Sequence, residues 1–416
     1  PKSGYNPAND GHDSFVMETG YDILFFWVAR MIMMGLENTD KVPFKYVYLS
    51  GLIRDQHGAK MSKTRGNVTD PIDAIDTYGT DALRFTLTTG NAPGNDLRIS
   101  EAKLGASRNF INKLWNASRF VSAVLDDGES HSIDWLDPDL TNIHDRWIVS
   151  RLNTLIINVD KYMDNFLFSE AQRELHDFLW NEFCDWYIEI AKLRLRSAEQ
   201  PSPLPVLLHV LERLLRLMHP FTPFVTEEIW QNLMHKINDD PDRPASIVIA
   251  QYPEVDESRV DHVAEQHMEA LIDIVKAMRN TKAEFKIPNT QNIFTEILAG
   301  NSSQLLSRES DIIDALTRSG TPVFVNEDES TLASSKKVSV ILNHAVIFMD
   351  LEGLVDTEKE RLRLQNELQA CETNIDSIAQ RLNSNDFLSK APEDVVEREN
   401  ERIVTIRTRR QRVQEL

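Results

Sequence analysis

The run Gly58-Ala59-Lys60-Met61-Ser62-Lys63-Thr64-Arg65-Gly66-Asn67-Val68 follows a strand-like segment, Tyr46-Val47-Tyr48-Leu49-Ser50, that ends at Gly51, and precedes Asp70-Pro71. Two lysines three apart, among small and hydroxyl residues, form a loop able to hold two compact ammonium charges against a polyphosphate. Taken alone, the same residues also read as a solvated basic loop. The surroundings favour the first reading. A short apolar strand enters the loop and a helix start, aspartate then proline, leaves it. A cationic loop beyond the carboxyl end of a parallel strand is where α/β folds place nucleotide chemistry.

With 416 residues the chain has length for several cores, and three or four domains are expected. No apolar run is long enough to cross a membrane; the segment from about Gly20 to Leu36 comes nearest, but Asp22 and Arg30 interrupt it, so it reads as a core helix. Cys184 and Cys371 are too far apart for metal-ligand spacing, so no protein-bound zinc is expected and a reducing, cytoplasmic setting fits. The chain begins at Pro1 with no leader-like segment and reads as a piece of something longer. A net charge of −20 disfavours nonspecific polyanion binding without excluding a local phosphate site.

Along the chain the texture changes several times. Residues Tyr21 to Met34 are apolar nearly all round, the pattern of a helix packed between a sheet and other elements. Asp70, Pro71 and Gly79 bound one short helix, and Thr80-Asp81 start another that runs to Thr88. Asn91 to Asp96 is a turn cluster. From about Ser100 to Leu233 apolar residues recur at helical spacing (Phe110, Leu114 and Ala117; Trp147, Leu152, Leu155, Ile156, Val159 and Tyr162), and further helices are expected over 175–196, 207–218 and 225–234. Past a Pro- and Asp-rich stretch, a helix around Val263 to Ala283 leads into a small α/β unit, with strands near 293–298, 323–325, 338–342 and 345–349, a helix over 303–316, and a hairpin turn at Asn343-His344. Leu364, Leu368, Cys371, Ile375, Ile378 and Leu382 alternate spacings of four and three, a coiled-coil seam; after a break containing Pro392, Val396, Ile403, Ile406 and Val413 continue it, so a projecting antiparallel hairpin is expected.

Several blocks in order resemble class I aminoacyl-tRNA synthetases, and within them the valyl-tRNA synthetases. They are Glu18-Thr19-Gly20-Tyr21-Asp22 with Phe26-Trp27-Val28-Ala29-Arg30-Met31; Tyr48 to Asp55; the lysine loop with Gly66-Asn67-Val68 and Asp70-Pro71; Tyr78 to Arg84; Asn112 to Ala117; and Pro220-Phe221-Thr222-Pro223-Phe224. Phe387, Lys390-Ala391-Pro392 and Val395-Val396 inside a terminal hairpin resemble the valyl arm, where isoleucyl relatives end in a cysteine-ligated zinc module. The resemblance implies a multidomain chain: residues 1–66 as the end of a Rossmann-like α/β catalytic domain, 67–104 as a connecting helical segment, 105–258 as an all-α anticodon-binding helix bundle, 259–350 as a linker helix and small α/β unit, and 351–416 as a C-terminal antiparallel coiled-coil tRNA-binding arm.

What the family does supplies the implied chemistry. Valine and ATP, with Mg²⁺, give valyl-adenylate and pyrophosphate, and the valyl group passes to tRNA(Val). Lys60 and Lys63 resemble the pair that stabilises charge on the departing pyrophosphate, with Met61, Ser62 and Thr64 completing the loop; Thr64 stands where serine is usual and keeps a hydroxyl. Gly20 and Asp22 match positions beside the adenylate ribose, though Asp22 also reads as a helix cap. Trp27 matches a wall of the amino-acid pocket and equally reads as a core tryptophan. Gly51 and Leu52 match the strand end beside the adenine. Candidate tRNA phosphate contacts are Arg108, Lys113, Lys192, Arg194 and Arg196 in the bundle and Arg402, Arg407, Arg409 and Arg410 in the arm, each also readable as a solvated charge; Arg412 adds to the arm's cluster.

The chain contains no His-x-Gly-His, the family's other ATP signature, and no room for the first half of the nucleotide fold or an editing domain, which matters because a pocket sized for valine rejects isosteric threonine poorly. A monomeric polypeptide that cannot activate valine alone is therefore expected. Two alternatives remain: an isoleucyl or leucyl relative, and a noncatalytic tRNA-binding or scaffold protein that kept the bundle and arm.

Overall fold

The computed structural model describes residues 16–90, 92–127, 134–197, 200–237, 244–288, 291–300, 303–320, 323–326, 337–351, 357–382, 399, 402–407 and 409–411. The chain forms two compact units, 1–265 and 266–416.

The first unit begins with a strand–helix–strand crossover. β1 (Val16–Gly20) and β2 (Tyr46–Ser50) pair in parallel with Gly20 opposite Ser50, so both strands end together. Between them the chain makes a 3-10 turn over Tyr21–Ile23, a π turn over Leu24–Val28, and α1 (Ala29–Thr39), closed by Asp40 with φ of 55°. The packed core helix expected here is not what forms. Val28 is buried, but Phe25 is 76% exposed, Phe26 64% and Met34 62%. The reason lies in the sheet: β1 and β2 make a two-stranded layer among the described residues, too narrow to cover the helix.

Beyond β2, β3 (Ile53–Arg54) pairs in parallel with β4 (Leu97–Arg98). Between these lie the lysine loop, α2 (Pro71–Tyr78) and α3 (Thr80–Thr88). The Asp70 carboxylate accepts the Ile72 N–H at 2.8 Å, and Gly79 takes a φ of 94° where the chain turns from one helix to the next.

α4 (Glu101–Asp127), α5 (Ile143–Asp164), α6 (Phe168–Asp177), a π-wound continuation over Phe178–Tyr187, α7 (Ile188–Arg194), α8 (Leu204–Met218) and α9 (Pro223–Ile237) pack as a bundle. Its interior is the apolar stripe legible in the sequence: Phe110, Leu114, Trp147, Leu152, Ile156 and Val159 are buried. Asp81 and Arg84 on α3 fasten this bundle to the segment after the lysine loop. The Asp81 carboxylate accepts the Val225 N–H at 2.6 Å and the Phe224 N–H at 3.3 Å, capping α9, while Arg84 donates to the carbonyls of Pro220 and Phe221. Two sequence blocks about 140 residues apart thus meet.

The second unit starts within α10 (His262–Glu284). β5 (Thr295–Leu298), β6 (Val323–Asn326), β7 (Lys337–Ile341) and β8 (Val346–Asp350) form a sheet in the order β6-β5-β8-β7, with β5 and β6 parallel and the other pairs antiparallel. The Leu342 N–H to Ala345 carbonyl bond closes the turn between β7 and β8. The single helix expected over 303–316 is two, α11 (Ser303–Ser307) and α12 (Ser310–Thr317). α13 (Thr357–Leu382) carries Ile375 and Ile378, which bury against Ile403 with Leu382 and Ile406 alongside. The arm features at Phe387, Lys390 to Pro392, Val395, Val396, Arg412 and Val413 lie outside the described residues.

Candidate functional site

The parallel pairing of β1 and β2 brings the glycine-bearing ends of both strands together: Gly20 stands opposite Ser50, and Gly51 follows at once. Gly51 has no room for a side chain, because a Cβ would overlap the Asn95 carbonyl and crowd the Asp96 N–H. The 92–97 segment reaches this close because the Gly94 N–H donates to Leu49 at 2.7 Å and the Leu97 N–H to Leu52 at 2.9 Å. At Gly20 the nearest neighbour of an added Cβ would be the Asp22 carboxylate at 2.7 Å, so the backbone of one and the side chain of the other lie together at the end of β1. The cap position of that short helix is Gly20, and Asp22 lies within its first turn. Trp27 is 55% exposed, not a core residue.

Asp96 is the hub that the sequence did not single out. Its carboxylate accepts from the Leu52 N–H at 2.9 Å, from the Tyr21 hydroxyl at 3.3 Å and, in an ion pair, from Arg54. The Arg54 guanidinium, first among these partners, holds the Asp96 carboxyl below the usual carboxylate range. Arg54 also donates to the Gly58 carbonyl at 3.2 Å, so the strand end and the entry to the lysine loop are tied by one side chain. The reading as a bare turn missed it because Asp96 looks like any turn aspartate until Arg54 lies beside it.

The lysine loop is folded, not splayed. Lys60 pairs across an isolated antiparallel bridge with Arg54 and leaves its side chain exposed. Lys63 begins a 3-10 turn, Lys63–Arg65; its side chain lies outside what is described. The Ser62 and Thr64 hydroxyls hydrogen-bond each other at 2.8 Å, so the threonine does take part in loop structure. Met61 packs on a small cluster of Ala74, Leu97, Ile99 and Leu104, which anchors the loop between its two lysines. Asp55 and Asn67, at the two ends, bond each other at 2.8 Å.

A cleft of about 660 Å³ opens on the sheet face bearing Glu18, Tyr48 and Ser50, and is closed on the far side by Phe166 and Phe168 of the α5–α6 turn. Phe166 adopts a φ of 59° to reach the Tyr46 and Tyr48 rings. Among the described residues no group of three or more His, Cys, Asp or Glu side chains stands together as a metal site.

The basic residues considered for RNA contact divide. Arg194 is a correction: it is 2% exposed, and its guanidinium donates to both Asp145 oxygens at 2.6 and 3.0 Å and to the Pro201 carbonyl. Burial in the bundle demands such pairing, and no phosphate reaches it. Lys113 pairs with Asp185 at 2.8 Å over the Trp180 ring, and Lys192 with Glu189 at 2.6 Å over Phe120. Arg108 lies against Tyr78, and Arg196 is exposed. In the second unit Arg402, Arg407 and Arg409 are exposed, Arg402 standing 3.9 Å from Glu399, while Arg410 is half-buried.

Comparison with known families resolves what this arrangement belongs to. The model for class I tRNA synthetases of the I, L, M and V group matches residues 2–100, that for the anticodon-binding domain of tRNA ligases residues 145–298, and that for the valyl tRNA synthetase tRNA-binding arm residues 356–416. The chain belongs to the class I tRNA synthetases, on the valyl branch. A valine–tRNA ligase of Dehalococcoides mccartyi strain 195 is 44% identical over 393 residues, 93% of this chain and 44% of that protein. One from Listeria innocua is 41% identical over 92% of this chain and 42% of its own length, and one from Staphylococcus saprophyticus 40% over 96% and 44%. This synthetase chain thus spans less than half the length of the curated relatives it matches. Among solved structures, the LeuRS–tRNA–LeuAMS complex of Agrobacterium radiobacter K84 is 22% identical with a TM-score of 0.47, over 59% of this chain and 29% of that one, a likeness too loose to argue from.

Proposed function

We propose that this chain forms the lysine-loop side of the active site and the tRNA-binding portions of a valine–tRNA ligase. In the reaction so assigned, a valine carboxylate oxygen attacks the α-phosphorus of ATP, the bond to the β-phosphate oxygen breaks, and pyrophosphate leaves. A ribose hydroxyl of tRNA(Val) then attacks the valyl carbonyl and releases AMP. Lys60 and Lys63 act on the first step, placing two ammonium charges where negative charge grows on the leaving diphosphate. Gly20 and Asp22 receive the ribose, Gly51 and Leu52 the adenine edge, and Trp27 bounds the valine side chain. Met61, Ser62 and Thr64 hold the loop in shape. Mg²⁺ enters with the triphosphate.

The observation that carries this reading is the register of β1 and β2, which sets Gly20 opposite Ser50 and so next to the Gly51 strand end, with the folded lysine loop entered through β3. The bundle over 105–258 and the terminal segment over 351–416 carry tRNA in this assignment; Arg108 and Arg196, and in the terminal segment Arg402, Arg407, Arg409 and Arg410, are its phosphate contacts, with Lys113 and Lys192 exchanging their carboxylate partners for phosphate. The terminal segment works as an antiparallel coiled-coil arm, an assignment supported by Ile375, Ile378 and Ile403 burying together. The enzyme acts as a monomer in the cytoplasm; among the described residues no helix is long and apolar enough to cross a membrane.

The exposed apolar face of α1 argues that this chain works with more polypeptide around the crossover than it contains. The test is valine-dependent ATP–pyrophosphate exchange by the complete natural polypeptide and by this chain alone. Exchange by the first and none by the second is expected. Wild-type-like exchange by the 416-residue chain would refute the division of labour proposed.

A further inference from the structure

The two ends of the lysine loop are joined by side chains in a way that the proposed chemistry does not by itself require. The Asp55 carboxylate uses one oxygen to accept the His57 N–H at 3.0 Å and the Ala59 N–H at 2.8 Å, which folds 55–59 into a turn. The other oxygen accepts from the Asn67 amide at 2.8 Å, twelve residues away. The same Asn67 amide nitrogen lies 3.3 Å from the Lys60 carbonyl, and the Asn67 amide oxygen accepts the Ser62 N–H at 2.9 Å. Both the lysine side of the loop and its serine therefore depend on one side chain. Gly58 and Gly66, with φ of 82° and 68°, supply the left-handed turns on either side that let the ends meet.

Only an uncharged amide fits these partners. It donates to a carboxylate and a carbonyl while accepting from an N–H; a carboxylate cannot donate, and a hydroxyl cannot span all three. Asn67, first among its partners, holds the Asp55 carboxyl below the usual carboxylate range, so Asp55 is the ionised end of a charge-assisted bond. The loop residues that this latch orders, Lys60 to Ser62, are those assigned to the diphosphate.

We propose that Asn67 is a positioning residue: with Asp55 it latches the lysine loop into the arrangement that presents Lys60 to the leaving pyrophosphate. The proposal rests on the function assigned above, and its test separates the two. Trypsin cleaves after Lys60, Lys63 and Arg65, so the cleavage rate within the loop reads the latch without any catalysis. In the complete natural polypeptide, N67A is expected to speed loop cleavage about tenfold, the equivalent of one or two lost hydrogen bonds. It is also expected to lower kcat of valine-dependent exchange on the order of ten- to a hundredfold, with KM for valine unchanged, because the lysines are misplaced while the valine pocket is not. Thermal unfolding of the variant checks that the rest of the chain is intact.

N67D supplies the sharper readout. It sets two carboxyl groups within hydrogen-bonding distance, and the pair retains a proton that neither would hold alone. Exchange by N67D is expected to approach the wild-type rate at acidic pH, where that proton bridges the pair, and to fall as pH rises and both ionise. The charged groups facing the pair are His57 in the same turn, Lys60 on the loop, and Arg54 and Arg98, whose guanidinium groups both reach Gly58. H57N is introduced into both backgrounds, so that the imidazole beside Asp55 cannot shape the profile. Unchanged cleavage in N67A overturns the latch. Faster cleavage with unchanged kcat, or an N67D pH profile parallel to wild type, overturns its positioning role. A wild-type polypeptide with no valine-dependent exchange sinks the assigned function instead, and leaves cleavage to decide whether the latch exists.

Discussion

Arg54 and Arg194 each grip an aspartate, one beside the lysine loop and the other at the centre of the helix bundle. The Arg54 and Asp96 side chains keep 30% and 22% of their surface exposed; those of Arg194 and Asp145 keep 1% and 5%. Near the loop, water screens the pair, so its worth lies in aiming the Leu52 N–H, the Tyr21 hydroxyl and the Gly58 carbonyl at one place. In the bundle no water competes, and the Tyr187 hydroxyl joins the same carboxylate at 2.6 Å. Identical chemistry therefore serves geometry at the site and cohesion in the bundle.

The sharpest way to break that contrast is to remove each arginine. Arg194→Ala strands a buried carboxylate and is expected to cost about 3–5 kcal/mol of stability, read as a lower urea midpoint. Arg194→Lys should not restore it, since a lysine cannot bond both carboxylate oxygens and the Pro201 carbonyl together. Arg54→Ala, from a half-buried and water-screened pair, is expected to move the urea midpoint far less than Arg194→Ala while lowering exchange by the complete polypeptide. Equal losses of stability in the two variants would erase the distinction.

Lys60→Ala extends the same comparison to chemistry. Loss of one electrostatic partner of the leaving group is expected to slow adenylate formation by about 10²–10³-fold. The exposed side chain makes no packing contribution, so the unfolding midpoint should stay where it is. A variant that keeps full turnover would remove the lysine from its assigned role.

The bundle was legible because apolar residues at helical spacing have one way to bury, and Phe110, Leu114, Trp147 and Ile156 do so. The site was legible only as far as its backbone signals, the glycines and the lysine spacing. Asp96, Asp55 and Asn67 were not singled out, because their meaning is set by partners as much as 44 residues away. Arg194 was misread for the matching reason: three basic residues within five positions, Lys192, Arg194 and Arg196, look solvated until Asp145, on another helix, is seen to claim one of them. The crossover helix failed differently, since an all-apolar stretch reports that something covers it and not whether this chain supplies the cover.

His209 tests the bundle through pH. Burial, aided by the Arg213 cation, lowers its pKa to about 4. In the unfolded chain it returns toward 6.5. Between those values the unfolded state binds the proton and the native state does not, so stability is fully present above pH 6.5 and falls as pH drops toward 4. The linked loss is about 3 kcal/mol, and H209Q should remove that component from the pH dependence of the urea midpoint.

The smallest expected effect lies where the two regions join, at Asp81. Its carboxylate caps α9 through Val225 and Phe224, but burial, opposed by those same N–H groups, raises its pKa. Raised in the fold, it binds its proton more tightly there than in the unfolded chain, so its contribution is present at acidic pH and is lost as pH rises through the folded value. The ionised form is thus the less favourable one at neutrality, although the cap itself is useful. Asp81→Ala, which deletes the acceptor, should cost about 1–2 kcal/mol. Asp81→Asn keeps a carbonyl for the two N–H groups without the buried charge, and is expected to change stability by less than about 0.5 kcal/mol while flattening its pH dependence below neutrality. A loss in Asp81→Asn as large as in Asp81→Ala would mean that the charge, and not the hydrogen bonds, joins the loop side of the molecule to the bundle.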